Sequence, residues 1–410
     1  MPQFDAIVVG AGPGGVAAAA RLVQNGTDPS KILVLERYTF PRPKPCGGGL
    51  TGHMDQVMAE LELDLEVAHI PSPVARVRFG GFERRVELSS PVNVIRREEF
   101  DANLVEQVRR RNVEVIEGEG VKGYDAHPDE VVVHTSKGRQ LSAKVLIGAD
   151  GAASVVRKQL LNNEKALPHR LFKMELTLPE GRSQDKAMLY DFTPMNYGLR
   201  GYLWVFPVSG GLINVGVMHY PAYRQSGVTL VEILRKGLAE LGIELPAKGT
   251  RGWPAWGYHP GKRVSGPRVL TIGDAAGIDG LTGEGIAVAM EHAVVAGDAI
   301  DVAFQTGDFS FSNYRKQLRR AIVGRELALD RWLAWMLYTR KNWRRWLSLV
   351  LYDEEVLEMY AARISGSEVL ADKKLQLYSA LWRHLFRARK RRKALEQAAA
   401  SAPAPLAVAG

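Results

Sequence analysis

The 410-residue chain carries 54 Lys and Arg against 45 Asp and Glu, a formal charge of +9, with 46% apolar and 24% charged residues. That composition is ordinary for a soluble globular protein, and the length calls for two or three structural units. A single cysteine excludes an internal disulfide framework and a cysteine-based zinc site, no metal is expected, no run of 18 apolar residues marks a transmembrane helix, and no signal-peptide pattern opens the chain.

In chain order, "FDAIVVGAGPGGVAAAARLVQNG" reads as an apolar strand, a glycine turn and an Ala-rich helix. The turn is a G-x-G-x-x-G: Gly10 permits the tight turn, Gly12 lets a pyrophosphate approach the backbone, and Gly15 lets the helix pack on the strand. Free N–H groups at the helix start attract an anion. "KILVLER" is a second buried strand that delivers Glu36, 26 residues past Gly10, an acid suited to a ribose diol. Next comes "PRPKPCGGGLTG", with the lone Cys46 followed by Gly47, Gly48 and Gly49. Residues 76–95 alternate like an exposed β-hairpin, and 96–111 have helical spacing with Phe100, Leu104 and Val108 on one face. Strands follow at 113–116, 130–135 and 144–149.

"IGADGAASVVRKQL" places Asp150-Gly151 at a strand end, with Arg157 one to two helical turns on; alone this is an N-cap and a turn. Residues 166–264 are mostly β. "LTIGDAAGIDGLTGEGIAVAMEHA" returns to strand, turn and helix, the helix beginning near Gly283. Asp274 there can accept from a sugar hydroxyl, and backbone N–H groups of Gly283–Ile286 can hold an anion or an electron-rich carbonyl. Beyond Phe311 the chain reads as helical to about residue 400, and 397–410 as a disordered tail. Residues 311–395 hold 20 Lys and Arg against 8 Asp and Glu, with five of the eight Trp. This block is either helix packed on the body with a basic outer face, or a surface for anionic lipid with Trp at the interface. No helix-turn-helix, zinc or RNP signature points to nucleic acid. The expected units are 1–75, 90–165 and 265–310, an α/β nucleotide-binding unit; 76–89 and 166–264, a β-rich unit; and 311–396, a helical region.

The order G-x-G-x-x-G…Glu, R-x-x-F-D, D-G-x-x-S-x-x-R and G-D-A-A-G resembles the para-hydroxybenzoate hydroxylase class of FAD enzymes over about residues 1–310. The resemblance implies a Rossmann-like α/β fold and bound FAD. It implies cofactor contacts from Gly10, Gly12, Pro13, Gly14, Gly15, Glu36, Arg37, Arg97, Val121, Asp150 and Asp274, with Gly283, Gly285 and Ile286 at the flavin pyrimidine edge. Within that class "GYLWVFPVSGGLINVGV" is similar to the Y-x-W-x-F-P-x(7–8)-G-x-G segment of geranylgeranyl reductases. "KPCGGGLT" resembles their flavin-side loop and "ARISGSEVL" their C-terminal part. Tyr202, Trp204, Phe206, Pro207 and Gly216 match and become the expected substrate residues; Met218 stands where the last glycine belongs. An aromatic strip with period two lines an apolar tunnel or is core packing.

This resemblance implies hydrogenation of C=C bonds in an isoprenoid or other lipid-like substrate. Cys46, Gly47 and Gly49 would lie beside the isoalloxazine, Cys46 as proton donor, as a flavin contact, or as a small buried residue. The one dinucleotide fingerprint is used by FAD, so NAD(P)H binds transiently, or ferredoxin or a quinol delivers electrons. A monooxygenase or halogenase acting on an aromatic or polyketide metabolite is the competing reading, although halogenases show W-x-W-x-I-P where this chain has Tyr202, Trp204, Phe206 and Pro207. The expected location is cytoplasmic, with peripheral contact on the inner face of the membrane.

Overall fold

The computed structural model describes residues 2–161, 169–177, 186–220, 229–278, 281, 283–339 and 341–383. β1 (Phe4–Val9) enters the glycine turn, α1 (Pro13–Gln24) leaves it, and β2 (Ile32–Leu35) returns parallel to β1. β3 (Gly49–Leu50) and α2 (Met54–Glu60) precede a long hairpin of β4 (His69–Phe79) and β5 (Phe82–Ile95), then α3 (Arg97–Arg110). β6 (Glu114–Ile116), β7 (Val121–Ala126), β8 (Val131–Thr135), β9 (Gln140–Gly148) and α4 (Val155–Leu160) complete the first half. β10 (His169–Thr177), β11 (Met188–Asp191), β12 (Leu203–Val208), β13 (Leu212–His219), α5 (Leu230–Ala239) and β14 (Arg251–Ala255) follow. β15 (Ser265–Gly266) and β16 (Val269–Thr271) lead to α6 (Ile286–Thr306), α7 (Tyr314–Arg320) and α8 (Ile322–Ala334). α8 widens into a π-turn over Trp335–Thr339, followed by α9 (Trp343–Tyr352) and α10 (Glu354–Ile364).

Two sheets organise the chain. The first runs β15-β16-β9-β1-β2-β6, with β7 and β8 hanging antiparallel from β9. Its strands alternate. Ala6 and Val8 pack under α1, α3 and α6, whereas Ile7 and Val9 pack with Tyr124, Val131 and Val133 of the β7–β8 layer. A parallel sheet covered on both faces is the α/β arrangement, and its strands are accordingly apolar throughout. The second sheet runs β14-β10-β13-β12-β11-β4-β5-β3. One face buries Leu203, Val215 and Val217 under Ile233, Leu234 and Leu238 of α5. The other gathers Phe79, Tyr202, Trp204 and Phe206 with Leu337, Trp343, Leu347 and Ile364 of the C-terminal helices.

The structure departs from the sequence expectations at several edges. The hairpin is longer than 76–95, and all of His69–Ile95 joins the second sheet, so 69–75 and 90–95 do not lie in the nucleotide-binding sheet. Their pairing with β3 and β11 is long-range and leaves no local signature. α6 starts at Ile286 rather than near Gly283, because Gly283 has φ +74, a left-handed conformation outside a helix. The basic cluster after Arg383 and the tail 397–410 lie outside the described residues.

Candidate active site

The glycine turn is held by backbone contacts. A Cβ at Gly15 would stand 1.8 Å from the Gly10 carbonyl oxygen, so only glycine lets α1 fold back against its own turn. Gly10 has φ +101 and lies against Ala149 at the end of β9. Glu36, at the end of β2, is buried: its Oε2 accepts from Ala11 N–H at 3.0 Å and its Oε1 from Tyr38 N–H at 3.1 Å.

Around this turn opens a cavity of about 590 Å³, within the range of small-molecule and cofactor sites. Gly10, Gly12, Pro13, Gly14, Glu36, Arg37, Cys46, Arg97, Val121, Asp150, Asp274, Gly283, Gly285 and Ile286 all line it. Gly15 does not; it packs behind the turn. Asp150 also works structurally, its carboxylate accepting from the N–H of Val155 at 2.6 Å and from the Ser154 hydroxyl. Burial pushes its pKa up. Arg97 is buried and bidentate on Asp101, at 2.8 and 2.9 Å, and lies close enough to Cys46 for the two groups to interact electrostatically. Those contacts hold Arg97 charged despite the burial.

Two further residues, Arg42 and Lys44, also line the cavity. Arg42 lies 3.7 Å from Glu36 and 3.5 Å from Asp101, and its buried Nε has no hydrogen-bond partner. Lys44 sits 3.6 Å from Asp274 with its ammonium 4.7 Å from the Trp253 ring. Burial lowers its pKa, partly opposed by Asp274. A glycine cradle, a buried acid and an orphaned arginine donor on one cavity wall fit a dinucleotide cofactor such as FAD.

A second, apolar cavity of about 130 Å³ abuts the first. Tyr190, Tyr202, Trp204 and Phe206 wall one side, and Val350, Leu357, Tyr360, Ala361 and Ile364 of α9 and α10 wall the other. The aromatic rings are interlocked, Tyr190 lying 5.5 Å from Tyr202 and 5.1 Å from Phe206 between centroids. Cys46, Gly283 and Glu284 line both cavities; Gly47 and Gly49 line the apolar one alone. A Cβ at Gly47 would meet the Phe206 ring at 2.9 Å, so this glycine lets the Cys46 loop press on the aromatic strip. Trp204 Nε1 donates to Asn214 Oδ1, and Asn214 Nδ2 donates to the Cys46 carbonyl, each at 2.9 Å. Asn214 is a further positioning residue the sequence did not single out. Gly48 N–H donates to Cys46 Sγ at 3.4 Å.

Pro207 and Gly216 line neither cavity. Strand alternation turns Pro207 to the α5 side, where it pairs with Ile213, and Gly216 pairs with Trp204 as its flat neighbour on β13. Met218 is buried, its Sδ 3.1 Å from where a Gly283 Cβ would be.

Residues 3–310 match the family model described as an FAD binding domain. Among curated relatives, digeranylgeranylglycerophospholipid reductase 2 of Methanococcoides burtonii is 26% identical over 352 residues, covering 79% of this chain and 82% of the relative. Menaquinone reductase of Mycobacterium tuberculosis is 28% identical over 320 residues, covering 72% and 76%. Among solved structures, a geranylgeranyl bacteriochlorophyll reductase-like protein of Thermoplasma acidophilum superposes with TM-score 0.70 at 20% identity, covering 91% of this chain and 99% of that one. The flavin-dependent halogenase CmlS gives 0.67 at 20% identity, covering 95% and 78%. These two likenesses establish the fold.

Proposed function

The chain belongs to the FAD binding domain family, and from that premise we propose that this FAD-dependent oxidoreductase saturates C=C bonds in an isoprenoid or similarly lipid-like substrate. The observation that carries the reading is the aromatic-walled apolar cavity sharing Cys46, Gly283 and Glu284 with the cavity suited to FAD. The reductase names of the relatives support it.

In this reading the glycine turn at Gly10–Gly15 and the start of α6 at Gly285–Ile286 hold the cofactor, with Glu36, Arg37, Arg97, Val121, Asp150 and Asp274. Arg42 and Lys44 add positive charge beside the pyrophosphate. Bound and reduced, FAD supplies a hydride equivalent to a carbon of the alkene. Tyr190, Tyr202, Trp204 and Phe206 hold the alkene-bearing segment, exclude water and fix its orientation. Cys46 stands at the junction, its thiol beside the Arg97 guanidinium, and delivers the proton to the neighbouring carbon. A Cys46→Ser variant is expected to keep its flavin absorbance and to lose turnover; full turnover would reduce the thiol to a cofactor contact.

The electron donor in this reading is NAD(P)H or a ferredoxin, separable by anaerobic stopped-flow reduction with each. The halogenase reading asks for a lysine facing the substrate, whereas Lys44 lines the larger cavity and not the apolar one. The decisive experiment is anaerobic: reduced protein is mixed with a geranylgeranyl-chain lipid and flavin reoxidation is followed. Reoxidation with formation of a product two hydrogens heavier is expected. Reoxidation by oxygen alone would sink the reading. Peripheral contact with lipid is part of the proposal, supported by the exposed side chains of Trp335, Leu375, Tyr378 and Trp382. Among the described residues no helix is long and apolar enough to cross a membrane.

A further inference from the structure

Arg363, near the end of α10, is a buried guanidinium ringed by carboxylates from two other elements. Its Nη2 lies 3.0 Å from Glu284 Oε2 and 2.7 Å from Asp330 Oδ2, and its Nε lies 2.6 Å from Glu326 Oε2. Its Nη1 donates to the Tyr360 hydroxyl at 3.3 Å. Glu284 comes from the loop before α6, and Glu326 and Asp330 from successive turns of α8. Beside the cluster His53 pairs with Glu291 of α6 at 3.1 Å, and both are partly open to solvent. The hydrogen bond to Glu291 raises the pKa of His53, and the charges of Glu326 and Glu284 add to it.

One guanidinium cannot neutralise three carboxylates, of which Glu326 and Asp330 are buried and Glu284 is half-buried. Fully ionised, the trio and Arg363 would carry two uncompensated negative charges, a cost that is relieved when one carboxyl keeps its proton. Burial, with repulsion from Glu284 and Glu326, pushes the Asp330 carboxyl up to about 7 against the pull of Arg363. Asp330 Oδ1 has no hydrogen-bond partner to offset a full charge.

Glu284 is the member of the cluster that reaches the site, since it lines both cavities. We propose that the Glu284–Glu326–Asp330–Arg363 cluster is a proton store and that Glu284 is its outlet, returning a proton to Cys46 after each turnover. This rests on the reductase reading above. Saturating one C=C adds one hydride, from the reduced cofactor, and one proton. Cys46 breaks its S–H bond to give that proton to carbon and is left as thiolate. The Glu284 carboxyl protonates the thiolate. The resulting carboxylate regains a proton directly from Asp330, which shares the Arg363 Nη2 with it, and solvent refills the cluster past His53 and Glu291. Arg363 and Asp330 are positioning residues that act through Glu284.

The test uses flavin-loaded protein and begins with infrared difference spectra between about pH 5 and 9. A protonated-carboxyl band is expected to bleach near neutrality in the wild type and to vanish in Asp330→Asn. In Glu284→Gln its midpoint should fall, because a like charge has gone. Absence of the band, or a midpoint unmoved by Glu284→Gln, overturns the store whatever the substrate. Turnover with a geranylgeranyl-chain lipid is the second readout. Glu284→Gln should run slower in steady state by on the order of 10²-fold, with Glu284→Asp recovering part of the rate. Equal steady-state rates overturn the role of Glu284. If the wild type leaves the lipid unreduced, the reductase reading fails and the infrared titration still decides whether the store exists.

Discussion

A methyl group at Gly15 would lie inside the Gly10 carbonyl oxygen, at 1.8 Å, and the neighbouring atoms are backbone that cannot move aside. Gly15→Ala is therefore expected to purify without flavin absorbance; a variant that retains stoichiometric FAD would contradict the role given to the turn. Asp330 makes a second case at this scale. Its carboxyl is held at about 7, above the ordinary 3.8, so the folded protein keeps a proton that the unfolded chain releases between those values. Stability from this group is fully present below about pH 4 and is lost as pH rises toward 7. Asp330→Asn removes that loss, so the midpoint of thermal unfolding, relative to wild type, should improve between pH 5 and pH 8. The size is about 1–4 kcal/mol. The glycines and Glu36 were legible in the sequence because the turn, the strand end and their spacing are local. Arg363 was not, because its partners come from 33 to 79 positions away and no spacing announces them.

At the scale of elements, β12 carries its aromatic strip on the face predicted from period-two spacing, and the strip does form a cavity wall. The same alternation removes Pro207 from that wall, which a motif copied as a block does not reveal. On β13, Met218 fills the space against Gly283 with its thioether. Met218→Gly is expected to enlarge the apolar cavity at a cost of about 2–5 kcal/mol in stability, and to raise turnover of longer prenyl chains relative to short ones. Unchanged chain-length preference would show that Met218 does not shape the path. In the C-terminal region most of the apolar stripe is core: Leu329, Met336, Leu337, Trp343 and Leu347 are buried. Helical residues 374–383 instead leave Leu375, Tyr378 and Trp382 exposed at three-to-four spacing. Changing Leu375 and Trp382 together to Ser should reduce flotation with anionic vesicles; equal flotation would remove this face from the lipid-contact proposal.

The whole molecule joins two sheets at a loop, and Cys46 lies where they meet. Composition and motif order identified the α/β class and the cofactor, since each motif is a contiguous stretch with its own backbone reason. The assembly of the apolar cavity was not legible, because it needs β4, β5, β11 and β12 with α9 and α10, brought together from across the chain. That placement orders events during synthesis. Every residue lining the larger cavity falls between Val9 and Ala289, whereas the apolar cavity has no far wall until Val350–Ile364 has left the ribosome. The last of those turns is pinned late, by the Gly52 N–H donating to the Ile364 carbonyl at 2.8 Å. A nascent or C-terminally clipped chain would thus own a cofactor cradle before it owns a place for substrate. Such a chain would have the larger cavity whole and the apolar one open on one side, so the final helices are what close the second cavity beside the first.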